Sequence, residues 1–243
     1  MIFGRPHRHY RVTDSTNERA RELAANGAPS GTIVTAARQT AGRGRHGRVW
    51  TAPESKALLL SAILRPLGAE HGLLPLAVPV AVCEAIESAA PVGCAIKWPN
   101  DVWIAESKVA GVLIEARPPD WAVIGIGINV AIGPDEFPDD LRWPATSIAA
   151  AMEEAGAPTI AGVRQAVCTC LAARTGASED ELLAAFRARD ALVGRSIAWE
   201  AAGDDGSGAG VAAGIDARGN LIVEADAGHR VSLGSGEVTL KPA

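Results

Sequence analysis

The apolar rhythm of the chain changes several times along its 243 residues. "TIVTAA" (32–37) and "ALLLSAIL" (57–64) are short, nearly unbroken apolar runs, the pattern of strands buried on both faces. Residues 73–90 open with prolines and continue as a helical pattern. "CAIKW" (94–98), "VAGVLIEA" (109–116) and "WAVIGIGINV" (121–130) predict three more strands. Nearer the start, a short strand at "YRV" precedes Ser15 and Glu18, which fit a capping box; Ala20, Leu23 and Ala24 then form a helical stripe that Gly27 ends. Helical spacing dominates from Ser147 to Arg189, with Ser178 and Glu181 as a second capping box. Beyond Gly194 five short alternating runs (196–201, 208–215, 220–225, 229–233, 237–240) follow one another between Gly- and Asp-rich turns. The pattern predicts an α/β body over 1–191 carrying a small β-barrel over 192–243, with no long linker between them.

Strand parity sharpens one run. In "VIGIGINV", Ile124, Ile126, Ile128 and Val130 point one way, and Gly125, Gly127 and Asn129 the other. A face with two missing side chains and one amide invites a flat group onto bare backbone, either a ligand or a packed helix. Gly111 and Ala110 leave similar room beside Lys108.

Composition removes some function classes. The formal net charge is −5, so no general basic field attracts DNA or an anionic membrane. The N-terminus lacks the apolar core of a signal peptide, and the longest greasy run, Leu73 to Cys83, holds two prolines and is far short of the roughly 20 residues that span a bilayer. These features predict a soluble cytoplasmic protein. Cys83, Cys94, Cys168 and Cys170 form no C-x-x-C pair and read as small buried hydrophobes, and His7 and His9 as solvated residues of an N-terminal arm. No side-chain metal cluster is expected.

Against that acidic background one segment is strongly cationic. "QTAGRGRHGRVW" (39–50) packs three arginines, a histidine and three glycines into residues 42–48, and no acidic residue occurs from Arg38 to Pro53. Glycines let backbone N–H groups approach a ligand, and arginine forks grip carboxylates and phosphates. A mobile loop closing on a small anion, a solvated basic turn and an RGG-like RNA-binding strip all fit the loop by itself. Lysine usage adds a constraint: arginine supplies 19 of the 23 cations, and two of the four lysines, Lys97 in "AIKWPND" and Lys108 in "ESKVAGVLIE", sit in apolar settings suited to a point charge on an anionic oxygen. Lys56 and Lys241 fit surface positions. Asn100 and Asp101, after the stiff Trp98-Pro99 step, offer an oxygen pair for Mg²⁺ or a ribose.

Taken together, "DSTN" (14–17), "QTAGRGRHGRVW", "KWPNDV" (97–102), "KVAGVLIE" (108–115) and "GIGINV" (125–130) resemble the biotin protein ligases in order and spacing, in the short form without an N-terminal DNA-binding domain. The resemblance implies an α+β fold: a mixed, mostly antiparallel sheet flanked by helices, like a class II synthetase core, with a C-terminal SH3-like barrel. It implies that biotin and ATP, with Mg²⁺, are joined as biotinyl-5′-AMP and that a lysine of a biotin carboxyl carrier protein then takes the biotinyl group. Biotin would meet Ser15, Thr16, Asn17, Gln39, Gly42, Arg43, Gly44, Arg45, Lys108, Gly111 and Gly125. ATP would meet Arg43, Arg45, Arg48, Trp50, Lys97, Asn100, Asp101, Lys108, Gly127 and Asn129. Lys108, Arg45 and Arg48 would be catalytic, and Asn100 and Asp101 the Mg²⁺ candidates. A monomer or weak homodimer is expected. With 13 residues ahead of Asp14, a repressor role through a DNA-binding domain is not expected. Two rivals share some of these features: a lipoate-type protein ligase, and a non-catalytic biotin- or RNA-binding protein.

Overall fold

A computed structural model describes residues 2–141, 143–152, 156–200, 206–225, 228–234 and 237–240. In chain order the first part contains β1 (His7–Thr13), α1 (Thr16–Ala25), β2 (Ile33–Gln39), β3 (Ala57–Leu64), α2 (Leu74–Ala89), β4 (Ala95–Lys97), β5 (Asp101–Ile104), β6 (Ser107–Arg117) and β7 (Trp121–Asn129). Then come the helices α3 (Ile148–Ala151), α4 (Ile160–Arg174) and α5 (Glu179–Arg187). The last part is all strand: β8 (Ser196–Glu200), β9 (Ser207–Ile215), β10 (Leu221–Ala225), β11 (Arg230–Leu233) and β12 (Glu237–Leu240).

Seven strands form one sheet in the order β1-β2-β3-β7-β6-β5-β4, parallel between β1 and β2 and antiparallel elsewhere. Its two faces follow the parity of the apolar runs. Ala122, Ile124, Ile126 and Ile128 of β7, and Val130 just after it, join the main core with α2, α4 and α5. On the opposite face Val123 packs with Ile63, Val34 and the α1 alanines Ala20 and Ala24. Between that cluster and another small one around Ala57, Leu59 and Ile132, the second face holds glycines and polar groups, and there the cavity lies.

The C-terminal strands form a second antiparallel sheet, ordered β11-β10-β9-β8-β12, where a small barrel is expected. Ile197, Trp199, Leu221, Val223 and Val238 from this sheet belong to the same apolar core as α2 and β7. The Trp98 indole N–H donates to the Gly219 carbonyl at 3.1 Å, and Arg195 pairs with Glu106 at 2.7 Å, both tying the second sheet to the first. Gly219 sits at φ +81 with Leu76 3.0 Å from where a Cβ would lie, so a side chain there would strain this seam.

Three readings change. The four-residue β5, absent from the apolar pattern, begins at Asp101 straight after the Trp98-Pro99 turn. The Ser15–Glu18 capping box does not form: Ser15 is the N-cap of α1 but makes no side-chain cap bond among the described residues, and Glu18 pairs with Arg21 and Arg43 instead. His7 and His9 are exposed as expected but belong to β1 rather than to a loose arm, and both rings meet the Thr35 hydroxyl, at 2.8 and 2.9 Å. The Ser178–Glu181 box is present, with Ser178 Oγ accepting from the Glu181 N–H. Cys83, Cys94 and Cys168 are buried and Cys170 half-buried, all as free thiols. Lys241 lies outside the described residues. No helix among those described is long and apolar enough to cross a membrane.

Candidate active site

Antiparallel register lays the cavity out in two rows. In one, Ser61 of β3 stands opposite Gly125 of β7, and Gly125 opposite Leu113 of β6. In the other, Gly127 faces Gly111, Gly111 faces Asp101 and Asp101 faces Lys97, running from β7 to β4. The rows are two residues apart on the same face, about 7 Å along the strands. The first row carries a neutral polar floor and the second carries the charges.

At the floor, the start of α1 brings in Thr16 and lays Asn17 over the missing side chain of Gly125. Ser61, fully buried, has its Oγ 2.8 Å from Thr16 Oγ1 and 2.6 Å from Asn17 Oδ1. Thr16 Oγ1 lies 2.9 Å from Gln39 Oε1, which also accepts the Thr16 backbone N–H at 2.7 Å. The chain Gln39 Oε1, Thr16 O–H, Ser61 O–H, Asn17 Oδ1 thus makes three O···O contacts with two hydroxyl protons. It is one donor short. Ser15, buried and free of a cap bond, adds its hydroxyl to the same wall.

At the charged row, Lys108 of β6 places Nζ 2.6 Å from Asp101 Oδ1 and 5.6 Å from the centre of the Trp50 ring. Trp50 lies flat on the paired glycines: a Cβ on Gly127 would come within 2.6 Å of the indole, and one on Gly111 within 3.1 Å. The flat group that the bare face invites is therefore, in this structure, the chain's own tryptophan. Its Nε1 is buried with no hydrogen-bond partner among the described residues. Lys97, 5% exposed, has Nζ 5.2 Å from the Trp143 ring. The aromatic face offsets part of the cost of burying this ammonium, and Lys97 lines the cavity.

The glycine–arginine segment forms the lid side. It is a tight hairpin, with an Arg43–Val49 bridge, Gly44 N–H on the Arg48 carbonyl at 2.8 Å and Trp50 N–H on the Gly42 carbonyl at 3.0 Å. Arg43 is held by Glu18 at 2.9 Å, and Arg45 Nη1 lies 3.5 Å from Asn100 Oδ1.

The cavity wall brings together Ser15, Thr16, Asn17, Gln39, Arg43, Gly44, Arg45, Arg48, Trp50, Lys97, Asn100, Asp101, Lys108, Gly111, Gly125 and Gly127, so most sequence-based candidates converge. Two do not. Asn129 gives its amide N–H to the Thr146 carbonyl at 3.0 Å, and Gly42 packs under the Trp50 carbonyl; neither lines the cavity. Of the oxygens expected to meet Mg²⁺, Asn100 Oδ1 faces Arg45 at 3.5 Å and Asp101 Oδ1 faces Lys108 at 2.6 Å, and no cluster of three or more metal-binding side chains forms among the described residues.

Several residues at the site have no place among the sequence candidates, His46 and Pro99 of the wall among them. The one mark of Ser61 in the sequence is that it is the single polar residue inside an apolar strand run. Val238 of β12 reaches the wall from the second sheet, and Glu115 stands behind Asn17.

This geometry defines a class: a polar pocket in which a hydrogen-bonding floor sits beside a cluster of cations suited to carboxylate and phosphate oxygens. The Biotin/lipoate A/B protein ligase family matches residues 9–129, and the Biotin protein ligase C terminal domain matches 200–241. A biotin--[acetyl-CoA-carboxylase] ligase of Mycobacterium tuberculosis is 34% identical over 235 residues, 93% of this chain and 85% of its own length. The chain belongs to the biotin protein ligase family. The Bifunctional ligase/repressor BirA of Bacillus subtilis is 42% identical over 180 residues, 71% of this chain and 54% of the relative. A second BirA, from Bacillus spizizenii, is matched over 51% of its length, so the chain spans about half of these two relatives. Among solved structures, the biotin protein ligase of Aquifex aeolicus in complex with biotin and ATP superposes with a TM-score of 0.84 at 28% identity, over 99% of this chain and 100% of that one.

Proposed function

We propose that the protein activates biotin with ATP and transfers the biotinyl group to a lysine of a biotin carboxyl carrier protein. A biotin carboxylate oxygen attacks the α-phosphorus of ATP and pyrophosphate departs. The acceptor amine then attacks the acyl carbon of biotinyl-5′-AMP, and AMP leaves. Both reacting partners of the first step are anions, so positioning and fixed positive charge are the main requirements. Lys108, anchored on Asp101, supplies a cation where the carboxylate and α-phosphate would meet. Arg45 and Arg48 of the hairpin supply charge for the phosphates and, afterwards, a cover over the adenylate. Trp50 must leave the glycine bed or rotate on it for adenine to settle there. Mg²⁺ enters this reading as the counter-ion of ATP's own phosphates.

One observation carries the choice of biotin: the floor is one donor short. A ureido ring brings N–H groups that can use the spare acceptor capacity of Gln39 Oε1 and Asn17 Oδ1, whereas the dithiolane of lipoate brings none and would leave that capacity unused. Lipoate is therefore the second reading, kept because the matched family includes lipoate ligases. Residues 1–191 would hold biotin and ATP, and 192–243 would support the wall through Val238 and help receive the acceptor. A cytoplasmic monomer or weak homodimer, acting without DNA or membrane, is consistent with the net charge of −5.

Incubation with α-labelled ATP and either biotin or lipoate tests the reading. Accumulation of a labelled acyl-adenylate with biotin supports it; accumulation with lipoate alone, or with neither, removes it.

A further inference from the structure

Glu115 does not line the cavity, yet it controls a group that does. It stands on β6 opposite Val123, on the face that carries α1. Its Oε2 accepts from Asn17 Nδ2 at 2.7 Å, and its Oε1 takes Arg21 Nη1 at 3.3 Å, which balances the charge. Asn17 Nδ2 also lies 3.4 Å from the Leu113 carbonyl, so the amide's nitrogen end faces acceptors throughout. The opposite end, Oδ1, lies over the bare backbone of Gly125 on the cavity wall.

An asparagine amide can sit either way round in a given space, and its two orientations present opposite hydrogen-bonding character. An ionised carboxylate only accepts. With Glu115 in place, a flipped Asn17 would set oxygen against oxygen at the same 2.7 Å. We infer that Glu115 is a positioning residue that locks the Asn17 amide so that Oδ1 faces the ligand as an acceptor for a ureido N–H. Selection of the ligand by its N–H groups then depends on a side chain that never touches the ligand. Glutamine at 115 removes the lock, because it can donate as well as accept, and Asn17 is free to turn its N–H₂ inward. This inference rests on the biotin reading, and the following experiment separates the failure of one from the failure of the other.

Binding of biotin and of two analogues, each N-methylated at one ureido nitrogen, is measured by calorimetry for the wild type and for Glu115→Gln. In the wild type, methylation at one nitrogen should weaken binding about 10- to 100-fold, the usual consequence of unpairing a buried acceptor. In Glu115→Gln biotin itself should bind about 10-fold more weakly, and the methylation penalty should fall to about 3-fold or less. Turnover at saturating biotin should stay within about 2-fold, because the reacting end of the pocket is unchanged. A variant that is merely loosened would lose affinity for all three ligands alike. An undiminished penalty in Glu115→Gln overturns the inference, as does a wild type that tolerates methylation at both nitrogens. A wild type that does not bind biotin sinks the biotin reading itself. Should Glu115→Gln fail to fold, Glu115→Asp, which keeps the charge but withdraws it by one methylene, is read by the same ratio and must show the same direction.

Discussion

At one end of the cavity Ser61, Thr16 and Asn17 are buried, uncharged and bonded to one another through side chains fixed on β3 and α1. At the other end Arg43 and Arg48 stand exposed on a hairpin whose cross-links are mainly its own backbone, with a surface ion pair to Glu18. Buried neutral groups have no alternative partners in water, so any unmatched ligand atom leaves a full desolvation cost behind. Exposed cations attract any anion, over a distance set by salt, and discriminate little. On the proposed function, the floor would decide which molecule enters and the loop would hold the anion that results. Lys108 stands between them, half-buried on Asp101 and beside the loop's Trp50.

The largest expected effect is at that junction. Lys108→Arg should lower the rate of adenylate formation about 10³-fold, measured by quench-flow, with biotin binding retained. Geometry is the reason: Lys108 runs close along bare Gly111 with its Nζ 2.6 Å from Asp101 and 5.6 Å from the Trp50 ring, and a longer, planar guanidinium would carry the charge away from that point. Near-normal turnover would make Lys108 a bulk charge and erase the distinction between it and the loop arginines.

Next comes the floor. Thr16→Val keeps the shape and removes the hydroxyl between Gln39 and Ser61. The KM for biotin should rise about 10- to 100-fold with kcat changed little. A fall in kcat without a change in KM would mean that the floor acts on the chemistry and not on selection.

For the loop, Arg45→Ala should speed loss of biotinyl-AMP from the protein about 10-fold, seen as streptavidin-detected labelling of a bystander protein. The release rate should also rise with salt, since the cations involved are partly solvated. Labelling no greater than wild type would make Arg45 a static ligand.

The smallest effect concerns the strand that supports the floor. Burial, with Arg164 and His9 nearby, pushes His7 below its ordinary value of 6.5. The folded state therefore binds the proton less readily than the unfolded chain, and the stability tied to neutral His7 is present above 6.5 and lost as pH falls through and below it. Calorimetric Tm should drop between pH 7.5 and 5.5, and the drop should be shallower by about 1 °C in His7→Gln. An equal drop in both proteins would place the pH dependence elsewhere.

Much of this was legible in the chain, for reasons that particular residues make plain. β3 and β7 announced themselves because nearly every residue in them is apolar or glycine, β6 through the apolar run Val109 to Ile114 at its centre, and the parity of "VIGIGINV" separated the core face from the glycine face. β5 escaped because four residues starting from an Asn-Asp turn carry too little pattern. Ser61 and Glu115 escaped for another reason: each acquires its role from pairing across strands, Ser61 with Gly125 and Glu115 behind Asn17, and register is not written in any one segment. Asn129 shows the converse. It lies on the glycine face, but the chain returning through Thr146 captures its amide at the strand's end.

The division of labour between floor and loop is tested most directly by one quench-flow experiment on three proteins: wild type, Thr16→Val and Arg45→Ala. For each, the biotin concentration giving half-maximal adenylate formation and the rate of biotinyl-AMP loss are read from the same time courses. The account predicts that Thr16→Val raises the first by 10-fold or more and leaves the second within about 2-fold, and that Arg45→Ala does the reverse. Both variants shifting both quantities together would contradict it and make the cavity a single undivided site.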